Sequence, residues 1–325
     1  MPLLKHLALA ATAALLLASL PALAQSNYPT RPVHLVVGFA AGSSGDVAAR
    51  IVGQKLAEIL GQNVIVENRP GASGVVAAEN VARAEKDGYT LLLATIANTI
   101  NTTMLPGKGP NFETAFAPIT LIGSLPEVLV VKKDLPVSDV KGLIALGKSR
   151  KEPLLYGASG VGSGPRMASE LFAQMAGIDM TPVLYPGSGQ TVTDLMAGRI
   201  DVEFAPASSV LGIIKQGSVK ALATTGTKRA SVLPDLPTVA ESGLPGYDTS
   251  LWFGILAPVG TPKPLLDKLS ASINQTLKDP AVLKELHNEG LDAAGGTPEE
   301  FASYIKSETA RWAKVIHGMK QIKPK

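Results

Sequence analysis

The sequence predicts an α/β fold built as two similar lobes, and two observations carry that reading. Short Val- and Leu-rich runs alternate with segments of helical periodicity over most of the chain. VHLVVGF (33–39), for example, precedes Val47, Ile51, Leu56, Ile59 and Leu60 at helical spacing. Such alternation implies a mostly parallel sheet with helices on both faces. The unit of strand, small-residue loop and helix also occurs twice, as GFAAGSSGDVAARIV and as YGASGVGSGPRMASELF.

Each element follows from local pattern. VHLVVGF is a buried strand, AAGSSGD its loop, and Gly61 ends the following helix. NVIVE (63–67) is the next strand, NRPGASG a turn, 75–84 a short helix and YTLLLAT (89–95) a third strand. The second lobe repeats this order. LLYGAS (154–159) leads through GVGSG to a helix marked by Met167, Leu171, Phe172 and Met175, which stops at Gly177. MTPVLY (180–185), a helix through Asp194 to Met196, DVEFA (201–205) and KALATTG (220–226) continue it. Leu233 to Gly246, with three prolines and two glycines, is expected to link the second lobe back to the first. The last third is mostly helical, with Thr297 as N-cap and Pro298 at the first position of a long helix.

The chain opens with a leader. Lys5 and His6 precede an Ala- and Leu-rich run from Leu7 to Leu20. Pro21 breaks the run, and Ala22-Leu23-Ala24 completes the pattern of a signal peptide cut after Ala24, for export to the periplasm. As a membrane anchor, the run is short of the roughly 20 residues a span needs. Cysteine is absent, which removes thiol catalysis, thiolate metal sites and disulfides. The formal charge of +3 falls to +2 once Lys5 is lost, and both signs are interspersed, so a nucleic-acid partner is not expected.

Most motifs with catalytic or nucleotide chemistry fail on inspection. Beyond the leader the histidines are His34, His287 and His317, none at metal spacing from another ligand, so no metal is expected. GASGV misses the nucleophile elbow at its fifth residue, and GVGSGP places Pro165 where a dinucleotide loop needs Gly. GLIALGKS (142–149) matches the phosphate-loop pattern by letter. Its interior, however, is helix-forming, Ser138 is read as the cap of a helix from about Asp139, and Pro153 prevents the long helix such a loop must open.

What survives is a matched pair of loops between a strand end and a helix start. Amides in a first helical turn lack internal acceptors, and the helix dipole adds partial positive charge there. Such loops bind carboxylates without an Arg. The ligand-binding candidates are Phe39, Ala41, Ser43, Ser44 and Asp46 in the first loop and Ser159, Val161, Gly162, Ser163 and Gly164 in the second. Thr95 and Asn98 follow the third strand, and Ala205 and Pro206 end a second-lobe strand, as does YPGSG (185–189). Asp46 either caps its helix or contacts an ammonium or hydroxyl of the ligand. Trp252 and Phe253 are read as core or hinge packing.

The order of these segments, through LYGASGVGSGPRMASELF, YPGSGQTVTDLMAGRIDVEFAP and WFGILAPVGTP, resembles the substrate-binding receptors of tripartite tricarboxylate transporters, the Bug-type receptors. The resemblance implies a two-lobed periplasmic binding protein (type II) fold with a ligand cleft between lobes. It divides the chain into a signal peptide (1–24), a first lobe (25–124 plus 246–325) and a second lobe (125–245). It also implies a receptor without cofactor or catalysis that binds a small organic acid and delivers it to membrane permease subunits; a monomer is expected. Family members hold carboxylates with loop amides, hydroxyls and water, on loops corresponding here to Phe39–Asp46 and Ser159–Gly164.

Two departures face the expected ligand. The family's first loop carries a Pro and a Gly-Gly pair where this chain has AAGSSGD, and a frequent Thr-His pair is replaced within ATIANTIN. Ligand identity therefore does not transfer from a relative. The alternatives are a sensor that shows its closed form to a signalling partner and a secreted hydrolase acting from Ser159 or Ser163.

Overall fold

The computed structural model describes residues 27–185 and 187–319. The signal peptide expected at 1–24 lies outside them. The first half of the fold runs β1 (Val33–Val37), α1 (Ser44–Leu60), β2 (Val64–Asn68), a 3-10 turn (Ala72–Gly74), α2 (Val75–Ala82), β3 (Thr90–Thr95) and α3 (Ile96–Met104). A long strand, β4 (Phe116–Lys132), then leads to α4 (Val140–Ser149), β5 (Leu154–Ala158), α5 (Gly164–Ala176), β6 (Met180–Leu184), α6 (Ser188–Met196), β7 (Val202–Pro206), α7 (Ala207–Lys215) and β8 (Val219–Thr224). The chain closes with β9 (Ser250–Pro258), α8 (Lys263–Thr276), α9 (Pro280–Asn288), β10 (Asp292–Ala293) and α10 (Pro298–Gly318).

The strand order is β2-β1-β3-β9-β4-β7-β5-β6, with β8 and β10 also paired to β4. The outer strands are parallel: β1 with β2 and β3, and β5 with β6 and β7. The central strands run antiparallel, since β9 pairs with β3 and β4, and β4 with β7 and β8. β4 is common to both halves. Phe116 to Pro126 lie against β9, and Glu127 onward against β7 and β8. The expected two-lobed α/β architecture is thus present, with antiparallel strands at the crossing.

Helix ends show why local pattern reads well. Gly61 and Gly177 close α1 and α5 in left-handed conformation (φ 68° and 63°), which costs glycine little. Thr297 and Glu300 form a capping box on α10, with Pro298 at its first position. Two local expectations change. Asp139, not Ser138, caps α4, because its Oδ1 accepts from Gly142 N at 2.7 Å. GLIALGKS is accordingly continuous helix with no cradle. The proline-rich segment does not pass straight back to the first half. Val239, Leu244 and Tyr247 pack into the second core, and Val239 N donates to Thr224 O at 2.9 Å. The chain crosses only afterwards, where Thr249 N donates to Thr225 O.

That second core stacks Phe172 on Phe204 at 5.5 Å, with Tyr156 and Tyr247 beside them. The first contains Leu35, Val52, Leu92 and Trp312. Trp252, fully buried, meets Phe301 edge-on at 5.8 Å. Gly254, two residues along β9, leaves room for Phe301. A Cβ there would stand 2.1 Å from Phe301 Cζ. Gly254→Ala is therefore expected to cost about 1–3 kcal/mol, the usual penalty of overpacking. A lowered urea midpoint at unchanged slope checks this, and an unshifted midpoint refutes it. Among the described residues no helix is long and apolar enough to cross a membrane.

Candidate ligand-binding cleft

The first loop is built around Asp46. Ser43 is the N-cap of α1, and its Oγ accepts from Asp46 N at 3.3 Å. The Asp46 carboxylate turns away from the loop mouth and is 3% exposed. Its Oδ2 accepts from Gly42 N at 2.9 Å and from Arg50 Nε at 3.1 Å, and its Oδ1 from Asn68 Nδ2 at 2.9 Å. Asn68 Nδ2 also donates to Phe39 O at 3.1 Å. Burial alone would raise the Asp46 pKa. The bonds from Arg50, Gly42 and Asn68 outweigh it and hold the group below its ordinary value. Asp46 is thus a brace with its acceptors in use, as in the capping alternative.

The other walls start at helix ends in the same way. Thr95 caps α3 by accepting from Ala97 N at 3.2 Å, while Asn98 Oδ1 reaches back to Thr95 N at 2.9 Å. Ser163 caps α5. Its Oγ accepts from Arg166 N at 3.4 Å and donates to Gly160 O at 3.0 Å, so the hydroxyl serves the loop. Gly187 and Pro206 precede α6 and α7 with no side-chain cap, which leaves those first-turn amides open.

These ends meet around one cleft of about 850 Å3, open mouth included. Five helix N-termini border it: α1 through Ser44, α3 through Ile96, α5 through Gly164, α6 through Ser188 and α7 through Pro206. Phe39, Leu251 and Phe253 supply apolar surface. Among the described residues no charged side chain lines it. Arg166, the basic residue next to Pro165, is engaged elsewhere: its Nη1 donates to Val161 O at 3.3 Å and its Nε lies 3.7 Å from Glu170. The positive ends of the helix dipoles therefore face the cavity uncancelled, in a half-enclosed space where they act most strongly.

Of the expected residues, Phe39, Ala41, Ser43, Ser44, Thr95, Ser159, Ser163, Gly164 and Pro206 line this cleft. The others do not. Asp46 and Asn98 stand behind it as brace and cap, Ala205 is buried in β7 opposite Val128, Val161 is 38% exposed, and Gly162 faces Asn101. Gly187, Ser188 and Gly189 of the YPGSG strand end line it too, as do Ile96, Ala97, Pro165, Leu251 and Phe253. Phe253 combines two roles, since its ring also packs 3.4 Å from where a Gly45 Cβ would be. Ile96 and Ala97 gave no comparable signal, since α3 follows β3 without a small-residue loop.

Comparison with known proteins agrees with this architecture. Residues 48–320 match the family model of the tripartite tricarboxylate transporter family receptor. The chain belongs to that receptor family. It is a solute receptor and not an enzyme. It is 33% identical over 292 residues to protein BugT of Bordetella pertussis, covering 89% of this chain and 90% of BugT. Among solved structures, Rpa4515 of R. palustris with adipate superposes with a TM-score of 0.85 at 35% identity, covering 90% of this chain and 98% of that one. MatC of Rhodopseudomonas palustris with bound malate gives 0.83 at 30% identity, covering 89% and 99%.

Proposed function

We propose that this receptor closes on a small organic acid and hands it to the permease subunits of a tripartite transporter. It does so as a periplasmic monomer, after its leader is cut at Ala24. One observation carries the ligand chemistry: five helix N-termini converge on a cleft whose described walls bear no charge. Such a site favours an anion, and the apolar surface of Phe39, Leu251 and Phe253 favours a carbon skeleton between or beside the carboxylates. Two structural neighbours were solved with such molecules, adipate and malate. Asp46, the acidic side chain of the first loop, is consumed by its own brace, so that loop offers an ammonium no carboxylate partner. Succinate is therefore expected to bind more tightly than aspartate.

A panel of mono-, di- and tricarboxylates, read by thermal shift and calorimetry, tests this. At a hundredfold excess over Kd a ligand adds about 2.7 kcal/mol, a rise of a few degrees in a chain of this size. A panel giving neither shift nor heat defeats the proposal, and tighter binding of aspartate than succinate defeats the ammonium argument.

A further inference from the structure

The two halves also meet at the rim of the cleft, through residues that do not line it. The 3-10 turn after β2 holds Ala72 and Ser73 in the left-handed region, at φ 47° and 53°. Residues other than glycine take that conformation only where their surroundings enforce it. Asn101 on α3 enforces it here, since its Nδ2 donates to Ser73 O at 2.9 Å. The turn thereby aims Ser73 Oγ across the rim, where it accepts from Gly162 N of the second loop at 3.3 Å. The fit is close. A Cβ on Gly160 would lie 2.8 Å from Ser73 Oγ, and one on Gly162 would lie 1.9 Å from Asn101 Oδ1. That Oδ1 is buried and has no hydrogen-bond partner among the described residues.

We infer that Ser73 and Asn101 are positioning residues. They form a clasp that receives the Gly160–Gly162 backbone and so sets Ser159, Ser163 and Gly164 over the bound anion. This rests on the two-lobed receptor reading but not on the identity of the ligand. The two glycines are required because the clasp needs bare backbone against it. Closure is then stabilised by contacts between the lobes as well as by the ligand, so the clasp governs how long a bound anion is held.

The chain has no cysteine, so spin labels at Ile65→Cys and Met196→Cys, exposed positions on opposite halves, can report the distance between lobes. Distances are measured with and without saturating adipate or malate. Gly162→Ala is expected to deplete the short-distance population in both conditions and to weaken binding about tenfold. Asn101→Ala, which frees the Ser73 turn without touching the second loop, should deplete the short-distance population as well. Ser73→Ala should speed dissociation several-fold at unchanged association rate. The clasp is overturned if Gly162→Ala or Asn101→Ala closes as the parent does, or if the parent has no closed population. If neither acid changes the parent's distances or binds it, the ligand reading fails, while the comparison of Gly162→Ala with the parent still decides the clasp.

Discussion

A Ser188→Asp receptor is expected to fold normally and lose its carboxylate ligands. Ser188 is the first residue of α6 and borders the cleft, and Gly187 before it offers no side-chain cap. A carboxylate at that position complements the helix dipole and should stabilise the fold by about 0.3–1 kcal/mol. A ligand carboxylate seated on the same helix ends would lie roughly 4–6 Å from the new charge. At an effective dielectric near 20, that repulsion is about 3–4 kcal/mol, or about 100- to 1000-fold in affinity. Ser188→Asn, of similar size and uncharged, should bind within a few-fold of the parent. Calorimetric titration with adipate and malate separates the cases. Equal affinity of the Asp and Asn variants would place the anion away from α6. Loss in both would point to shape rather than charge.

Much of this site was legible because it is made of local features. A strand that runs into small residues and then into helical periodicity must expose first-turn amides, whatever packs around it. AAGSSGD and ASGVGSG both show that signature, and Ser43 and Ser163 are the caps of α1 and α5. Features that depend on distant parts of the chain were not legible. α3 begins directly at the end of β3 with no loop, in ATIANTIN, whose β-branched and Asn residues are poor helix formers. β4 contains Pro118 and Pro126, which locally argue against a strand, and it is held by β9 far along the chain. Gly162 is expected at the ligand only from its place in a small-residue loop. What actually faces it is Asn101, from the opposite lobe.

Glu127 was equally hidden, as one acidic residue in an apolar run, and it carries the second large effect. Glu127→Gln is expected to stabilise the protein strongly at pH 8 and hardly at pH 5. Glu127 stands where β4 passes from β9 to β7 and β8, and it is 1% exposed. Its Oε2 accepts from Thr249 Oγ1 at 3.4 Å, and its Oε1 has no partner among the described residues. Glu203 on β7 is equally buried. Burial pushes Glu127 from 4.5 up to about 8, against a small opposing effect of Thr249. Burial, reinforced by the charge of Glu127, raises Glu203 as well. A carboxyl raised in the folded state binds more protons there than in the unfolded chain. Stability from this group is therefore greatest below about pH 4.5, declines as pH rises toward 8, and levels off above that. At about 1.4 kcal/mol per unit, the loss at pH 8 is on the order of 4 kcal/mol. Gln escapes it, so the variant should melt several degrees higher at pH 8 and within about a degree of the parent at pH 5. The same titration reaches the cleft. A Cβ on Gly164 would stand 3.7 Å from Glu127 Oε1, so an ionised Glu127 sets negative charge directly behind the start of α5. Carboxylate affinity of the parent should then fall between pH 7 and 9, and that of Glu127→Gln should stay flat. A variant that melts like the parent at both pH values would mean that Glu127 is already ionised and accommodated at neutral pH.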